Sequence, residues 1–159
     1  MTAHGGESPS AFDGLMAEVM TGADRFGHRE HVHLTWLAVR RHGTAAATEL
    51  ISGGIRRTAR YAGAPQKYHA TVSRAWVELV AHHVQEDDLR AHATGTADAI
   101  GPQQSAFTAF AAHHTALLDK RLLTRFYRPA TLASPPARTG WVEPDLAPFP
   151  WQDRPGGCA

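Results

Sequence analysis

Residues 28–43, HREHVHLTWLAVRRHG, decide the fold class. Successive residues of an α-helix are turned by about 100°, so positions three and four apart share a face. The face expected to meet solvent carries Arg29, His33 and Arg40. His31 points away from it, and Gly43 is a typical residue for the C-terminal end of a helix. The stretch therefore predicts an amphipathic helix from about residue 28 to 41, with His31 on its buried face.

Similar apolar periodicity predicts three further helices, at about residues 45–61, 67–84 and 105–127. Gly53 and Gly54 lie in the middle of the first of these and lower its helix propensity by about 1 kcal/mol each relative to alanine. We therefore expect a close helix contact or a kink there. The sequence has no strand-like alternation and no hairpin turn. The predicted fold class is all-α, a single-domain helical bundle of about four main helices.

The composition divides the chain into three parts. Residues 1–10 are small and polar and are predicted to be a disordered N-terminal tail, and residues 11–130 form the helical bundle. Residues 131–159 are rich in proline, which prevents regular helix, but Trp141 and Trp151 argue against a freely disordered tail. We expect an extended C-terminal strap whose tryptophans dock on the bundle or on a second subunit, as in a homodimer.

The overall charge excludes several classes of partner. Lys and Arg total 16 against 15 Asp and Glu, a net charge of +1, which gives no electrostatic case for nucleic acid or an anionic membrane. The longest apolar runs are far below the ~20 residues of a membrane span. The N-terminus has no secretory signal pattern, so the expected location is the cytoplasm. Cys158 is the single cysteine, which excludes an internal disulfide and a cysteine-based zinc site.

Histidine is the unusual component, with 11 residues scattered along the chain. His28 lies one helical turn before His31, on the flank of the buried face. His69 begins the third predicted helix and lies opposite its expected wet face. That wet face carries Ala70, Arg74, Glu78, Ala81 and Gln85. His83 is inward as well, but 14 residues of helix separate it from His69 by about 21 Å, so the two cannot share one site.

His28, His31 and His69 are therefore the predicted metal ligands. Neutral imidazole binds zinc, copper, iron and nickel, and three histidines leave coordination positions open for water or substrate. The favoured hypothesis is a small metal-dependent enzyme that acts on a small molecule, with Glu30 and Tyr68 as candidate catalytic residues. His114 lies on the apolar stripe of the fourth predicted helix, with His113 beside it. Each of the doublets His82-His83 and His113-His114 is expected to contribute at most one inward ring, because adjacent helix residues diverge by about 100°. The sequence leaves open whether a further ligand comes from His83, His113 or His114.

Two other functions remain open from the sequence, because a buried histidine is more often a hydrogen-bonded core residue than a ligand. One is a non-catalytic module that binds a small molecule, a metal or haem. The other is a structural homo-oligomeric protein with core histidines, whose strap mediates dimerisation.

Four stretches of the chain resemble a family of small, uncharacterised, all-helical bacterial proteins. They are FGHREHVHLTWL (residues 26–37), KYHATV (67–72), LLDK (117–120) and WVEPDL (141–146). The resemblance extends over most of the chain from Phe26 to Pro150 and implies a shared fold and shared histidines, without indicating an activity. In the family pattern, glutamate follows the histidine that corresponds to His69, where this chain has Ala70.

Overall fold

The computed structural model describes residues 11–94 and 103–152, and these form helices joined by short turns. No strand occurs in the described residues, which confirms the predicted all-α fold class. The helices are α1 (Ala11–Met20), α2 (His28–Tyr61), α3 (Ala70–Thr94), α4 (Gln103–His113), α5 (Pro129–Leu132) and α6 (Pro135–Thr139). Single 3-10 turns occur at Pro65–Lys67, Thr115–Leu118 and Leu122–Arg125.

Gly43 divides α2 into two segments. Its φ of 84° and ψ of 167° are non-helical, and a positive φ favours glycine because it has no Cβ. Three contacts fix the path of α2 along α3: His28 with Trp76, Thr44 with Gln85, and Arg56 with Tyr68. Residues 28–42 therefore run in the same direction as α3, and residues 44–61 run back. The helix stop predicted at Gly43 is confirmed.

α1 packs across α2 at Gly54. A Cβ on Gly54 would lie only 2.2 Å from Cδ1 of Phe12, whereas a Cβ on Gly53 would meet nothing within 4 Å. The missing side chain at Gly54 lets the Phe12 ring rest on the helix backbone. The close contact expected at the glycine pair is therefore confirmed, and it involves Gly54 alone.

α4 covers the outer face of the first half of α2. Phe107 and Phe110 lie with their ring centres 5.5 and 6.0 Å from that of Trp36. His33 stacks on Phe107, with ring centres 4.2 Å apart and an interplanar angle of 6°. His33 is therefore half-buried, although the sequence placed it on the solvent stripe, and burial is the main cause that lowers its pKa. Helical periodicity within residues 28–41 alone does not reveal this covering helix.

The helix boundaries differ from the predicted ones in two places. α3 continues to Thr94, ten residues beyond the predicted end at residue 84. α4 ends at His113, and the predicted continuation to residue 127 is replaced by two 3-10 turns. These turns place buried Leu117, Leu122, Leu123 and Tyr127 in the core.

The C-terminal strap begins with two short helices. Each has proline in its first turn, where the missing N–H would have no partner in the helix. The expectation that proline prevents helix is therefore wrong at residues 129–139, because proline there starts a single turn. The strap continues without regular structure from Gly140 to Trp151.

The strap docks on the bundle, along α3. Phe149 is fully buried and stacks on Trp151, with ring centres 4.8 Å apart. Thr71 Oγ1 donates to Gly140 O at 2.7 Å and accepts from Val142 N at 3.2 Å. The Arg74 guanidinium lies 4.2 Å from the ring centre of Trp141. The strap thus covers part of the α3 face that was predicted to be wet.

Several expectations concern residues that the structure does not describe. The disordered tail at residues 1–10 lies outside the described range, and so does Cys158. Within residues 11–94 and 103–152, no helix combines the length and the apolar character that crossing a bilayer requires.

Candidate metal centre

His28 and His31 lie side by side at the start of α2, as the sequence predicted. Their ring centres are 6.4 Å apart. His28 Nε2 is 2.8 Å from the carbonyl oxygen of Leu117, and because a carbonyl only accepts, this nitrogen carries the proton. His31 makes no ring hydrogen bond to a described residue. Burial, with a smaller contribution from the charge of His28, lowers the pKa of His31 to about 4.

His69 holds the start of α3 in place through both ring nitrogens. Its Nδ1 accepts from the backbone N–H of Val72 at 3.2 Å, in the manner of a helix N-cap. Its Nε2 therefore carries the proton and donates to the carbonyl oxygen of Leu132 at 2.7 Å. Because neither nitrogen keeps a free lone pair, the ring is committed to structural hydrogen bonds.

The structure does not bring His28, His31 and His69 together as a set of ligands. Among the described residues, their donor atoms do not all lie within 4.8 Å of one another. His28 lies beside Trp76, seven residues and about 10 Å further along α3 than His69. Of the three predicted ligands, His28 and His31 are therefore neighbours, and His69 lies apart from them.

The two predicted catalytic residues have structural partners. Glu30 Oε1 accepts from the backbone N–H of Gly27 at 2.9 Å, which satisfies a free donor at the start of α2. Tyr68 lies between the end of the 3-10 turn and α3, and the Arg56 guanidinium is 5.0 Å from its ring centre. In this structure Glu30 caps a helix and Tyr68 packs against an arginine.

A different group of donors lies further along α3, at His82, His83 and Glu86. One donor atom from each lies within 4.8 Å of the other two, and no other trio of potential ligands in the described residues meets this spacing. His82 and Glu86 are four residues apart and His83 and Glu86 are three apart, so both pairs share a helix face. His82 Nε2 is 3.3 Å from Glu86 Oε2, and His83 Nδ1 is 3.5 Å from Glu86 Oε1.

The decisive atom in this group is Nδ1 of His83. It is buried from solvent and makes no hydrogen bond of normal geometry in the described structure; its one charged neighbour there is Glu86 Oε1, at 3.5 Å, which is a weak contact. A buried polar atom without a partner costs about 1–3 kcal/mol, so such an atom requires an explanation. A bound cation would satisfy it.

The electrostatics keep His83 in the form that binds metals. Burial is the main cause that lowers its pKa, and the charges of His114 and His82 lower it further, against an opposing effect of Glu86. A lowered pKa means that His83 is neutral at pH 7, with one ring nitrogen unprotonated. Neutral imidazole is the ligating form.

Side chains from two other elements border the group. The ring centre of Trp151 in the strap is 5.2 Å from that of His82. His114, directly after α4, packs on His83 with ring centres 4.5 Å apart and an interplanar angle of 34°. His114 Nε2 lies 3.0 Å from both carboxylate oxygens of Asp87. The side chains of His82 and His114 are 12% and 10% exposed, so the neighbouring elements largely cover them.

Sequence reasoning identified His83 and His114 as inward-facing but did not join them into a site. It expected the doublet His82-His83 to contribute one inward ring, because adjacent helix residues diverge by about 100°. The strap changes this, since Trp151 covers the ring that lies nearer the helix edge. The spacing His-His-x-x-Glu in residues 82–86 was the available signal.

No protein family, curated protein or solved structure matches the chain. Any function assigned to the chain therefore depends on the geometry of its described residues.

Proposed function

We propose that the protein binds a divalent transition-metal ion through His82, His83 and Glu86. The observation that carries this proposal is the buried, unpartnered Nδ1 of His83, which faces a carboxylate oxygen 3.5 Å away. The donor atoms of three ligands on a tetrahedral zinc ion lie about 3.4 Å apart, since Zn–N and Zn–O distances are about 2.0–2.2 Å. The contacts of His82 and His83 with Glu86, at 3.3 and 3.5 Å, are close to this spacing, and each is made to a different oxygen of the carboxylate.

The two imidazole rings also have the separation that a shared ion requires. Two histidines bound to one tetrahedral ion have ring centres about 5 Å apart. The ring centres of His82 and His83 are 5.1 Å apart, with an interplanar angle of 64°. Little movement is therefore needed for both to bind one ion, apart from adjustment of the half-exposed Glu86.

The chemistry of the donors selects the class of metal. Two imidazoles and one carboxylate suit zinc, copper, iron or nickel, whereas calcium and magnesium prefer oxygen ligands throughout. The metal-dependent enzyme predicted from the sequence requires that one coordination position of this ion stays open for water or a small-molecule substrate. With these three ligands alone the position is open, and the proposal of such an enzyme then applies to His82, His83 and Glu86.

A zinc titration of the untagged, chelator-treated chain tests the proposal. Equilibrium dialysis with elemental analysis is expected to give one zinc ion per chain. Removal of one ligand by His83→Ala is expected to weaken zinc binding about 100-fold or more, because the remaining donors no longer enclose the ion. Circular dichroism of each variant checks that the helices are retained.

His92→Ala is the matched control, because His92 is an exposed histidine on the same helix. Its ring contacts only the carbonyl oxygen of Asp88 one turn earlier among the described residues. Zinc affinity is expected to be unchanged in this variant. Absence of zinc binding by the wild-type chain, or equal losses in His83→Ala and His92→Ala, would contradict the proposed site.

A further inference from the structure

We infer that His114, held in place by Asp87, supplies a fourth ligand from the residue that follows α4, so that the ion fastens the end of α4 to α3. The inference rests on the proposed metal site and adds a residue that lies about 30 positions away from it in the sequence. It also decides what kind of site the ion occupies, because a fourth protein ligand fills the position that an enzyme would need open.

The hydrogen bonds of His114 determine which of its nitrogens is available. A carboxylate only accepts, so the Nε2 that faces Asp87 at 3.0 Å must carry the proton. In the tautomer with this proton the lone pair is on Nδ1, and no hydrogen bond of Nδ1 to another described residue is found. Arg90 also donates to Asp87, at 3.0 Å, so the carboxylate that His114 contacts is held from a second side.

This arrangement is the one that ligating histidines usually have. A histidine that binds a metal through one nitrogen nearly always donates the other ring N–H to a carboxylate, a carbonyl or water, which orients the ring. His114 has such a partner before any ion is considered. Asp87 is in this view a positioning residue that acts through His114.

The position of His114 agrees with this role. Its ring centre is 4.5 Å from that of His83, close to the separation of about 5 Å for two imidazoles on one tetrahedral ion. Among the described residues, its donor atom forms no group within 4.8 Å with any two of the donors of His82, His83 and Glu86. Because the ring centres are already close, ligation requires the side chains of the trio on α3 to turn toward Nδ1 of His114 while its Nε2 stays on Asp87. Phe110, 4.8 Å away, packs against the ring within α4.

Four protein ligands would close the coordination sphere. Closed sites with four protein ligands are typical of ions that stabilise a fold, whereas catalytic sites keep a position for water. The ion would then join two helices that the chain connects only through residues 95–102. Its function would be metal-dependent stabilisation of the contact between α3 and α4.

Cobalt(II) in place of zinc tests the inference, since tetrahedral cobalt(II) absorbs visible light much more strongly than five- or six-coordinate cobalt(II). The wild-type chain is expected to show the strong tetrahedral bands. His114→Ala is expected to weaken zinc binding about 10- to 100-fold and to reduce the cobalt bands, and Asp87→Asn to weaken binding about 10-fold. Added free imidazole is expected to restore the bands in His114→Ala by filling the vacated position.

His113→Ala and Asp88→Asn are the matched controls, because each removes the same side-chain type from the neighbouring exposed position. Both are expected to bind zinc and cobalt(II) as the wild type does. Equal zinc affinities and equal cobalt(II) spectra in His114→Ala and His113→Ala would overturn the inference and leave an open three-ligand site, in which water fills the fourth position. Absence of binding in the wild type would instead overturn the proposed metal site itself.

Discussion

The two groups of histidines differ in what satisfies their ring nitrogens. At the start of α2 and α3, His28 and His69 bond to backbone groups, namely Leu117 O, Leu132 O and Val72 N. In the middle of α3, His82 and His83 face a carboxylate and each other, and His114 packs beside them and faces Asp87. Histidines that bond to the backbone fasten chain segments together, whereas those that face carboxylates have partners whose charge favours a bound cation.

The turn after α4 links the two groups. His114 contacts Asp87 of α3, and three residues later Leu117 accepts the hydrogen bond of His28. The same turn is thus held on one side by a fixed backbone contact and on the other by the proposed ion. One group of histidines belongs to the permanent scaffold, and the other forms the proposed site, whose occupancy would change with the metal supply.

The largest effect is expected on zinc affinity, when two histidines are removed from each group in turn. The double variant His82→Ala/His83→Ala is expected to lose zinc affinity by at least about a thousandfold, or about 4 kcal/mol, because two of the proposed ligands are gone. The double variant His28→Ala/His31→Ala is expected to keep its zinc affinity within about threefold, or about 0.7 kcal/mol. Isothermal titration calorimetry with zinc measures both affinities.

Circular dichroism and analytical ultracentrifugation show whether both double variants keep the wild-type fold and oligomeric state. If zinc binding disappeared in folded His28→Ala/His31→Ala and persisted in His82→Ala/His83→Ala, the two groups would have exchanged roles. The metal triad predicted from the sequence would then be correct in part.

The sequence predicts the helices and their buried faces better than it predicts which residues of distant elements contact those faces. Helical periodicity placed His31, His83 and His114 on buried faces, and the Gly43 stop and the docked tryptophans were also predictable. These features depend on residues close together in the chain. Periodicity says nothing about which carbonyl from another element meets a ring nitrogen, and the partners of His28 and His69 are 89 and 63 residues away.

The same limitation explains His33 and the trio on α3. Whether His33 meets solvent depends on α4, whose Phe107 stacks on it. Whether both rings of His82 and His83 are covered depends on Trp151, which reaches α3 through the strap. A helical wheel describes one helix in isolation, so it cannot include a covering element that arrives about 70 residues later. The trio on α3 could therefore be recognised as a candidate site only from the three-dimensional structure.

The second largest effect concerns His31, as a dependence of stability on pH. Its pKa in the folded state is about 4, whereas in the unfolded chain it is near the ordinary value of 6.5. Between these values the unfolded chain binds more protons, so the free energy of unfolding falls as the pH falls from 6.5 toward 4. The loss expected from His31 is about 3 kcal/mol between pH 7 and pH 4. Urea unfolding at both pH values measures it.

His31→Leu is expected to remove that part of the pH dependence, since leucine binds no proton and suits the buried position. His42→Gln, at an exposed position of the same helix, is the control and should leave the slope of the wild type unchanged. A wild-type pH dependence that survives in His31→Leu would show that other groups, such as His33, produce it.

The smallest of the three effects is expected at His69, and it separates a scaffold histidine from a ligand. His69→Ala removes the cap on the Val72 N–H and leaves the Leu132 carbonyl without its donor, at a cost of about 1 kcal/mol each in the free energy of unfolding. His69→Asn retains a side chain that caps helix N-termini well but does not reach Leu132, so about half of the loss should return. Urea unfolding at pH 7.5 in the presence of a chelator measures these changes without any contribution from metal.

Zinc affinity, measured separately, should stay at the wild-type value in both variants, because His69 has no free nitrogen to offer an ion. A variant at His69 that keeps its stability and loses zinc would place this residue with the ligands and remove the distinction between the two groups of histidines.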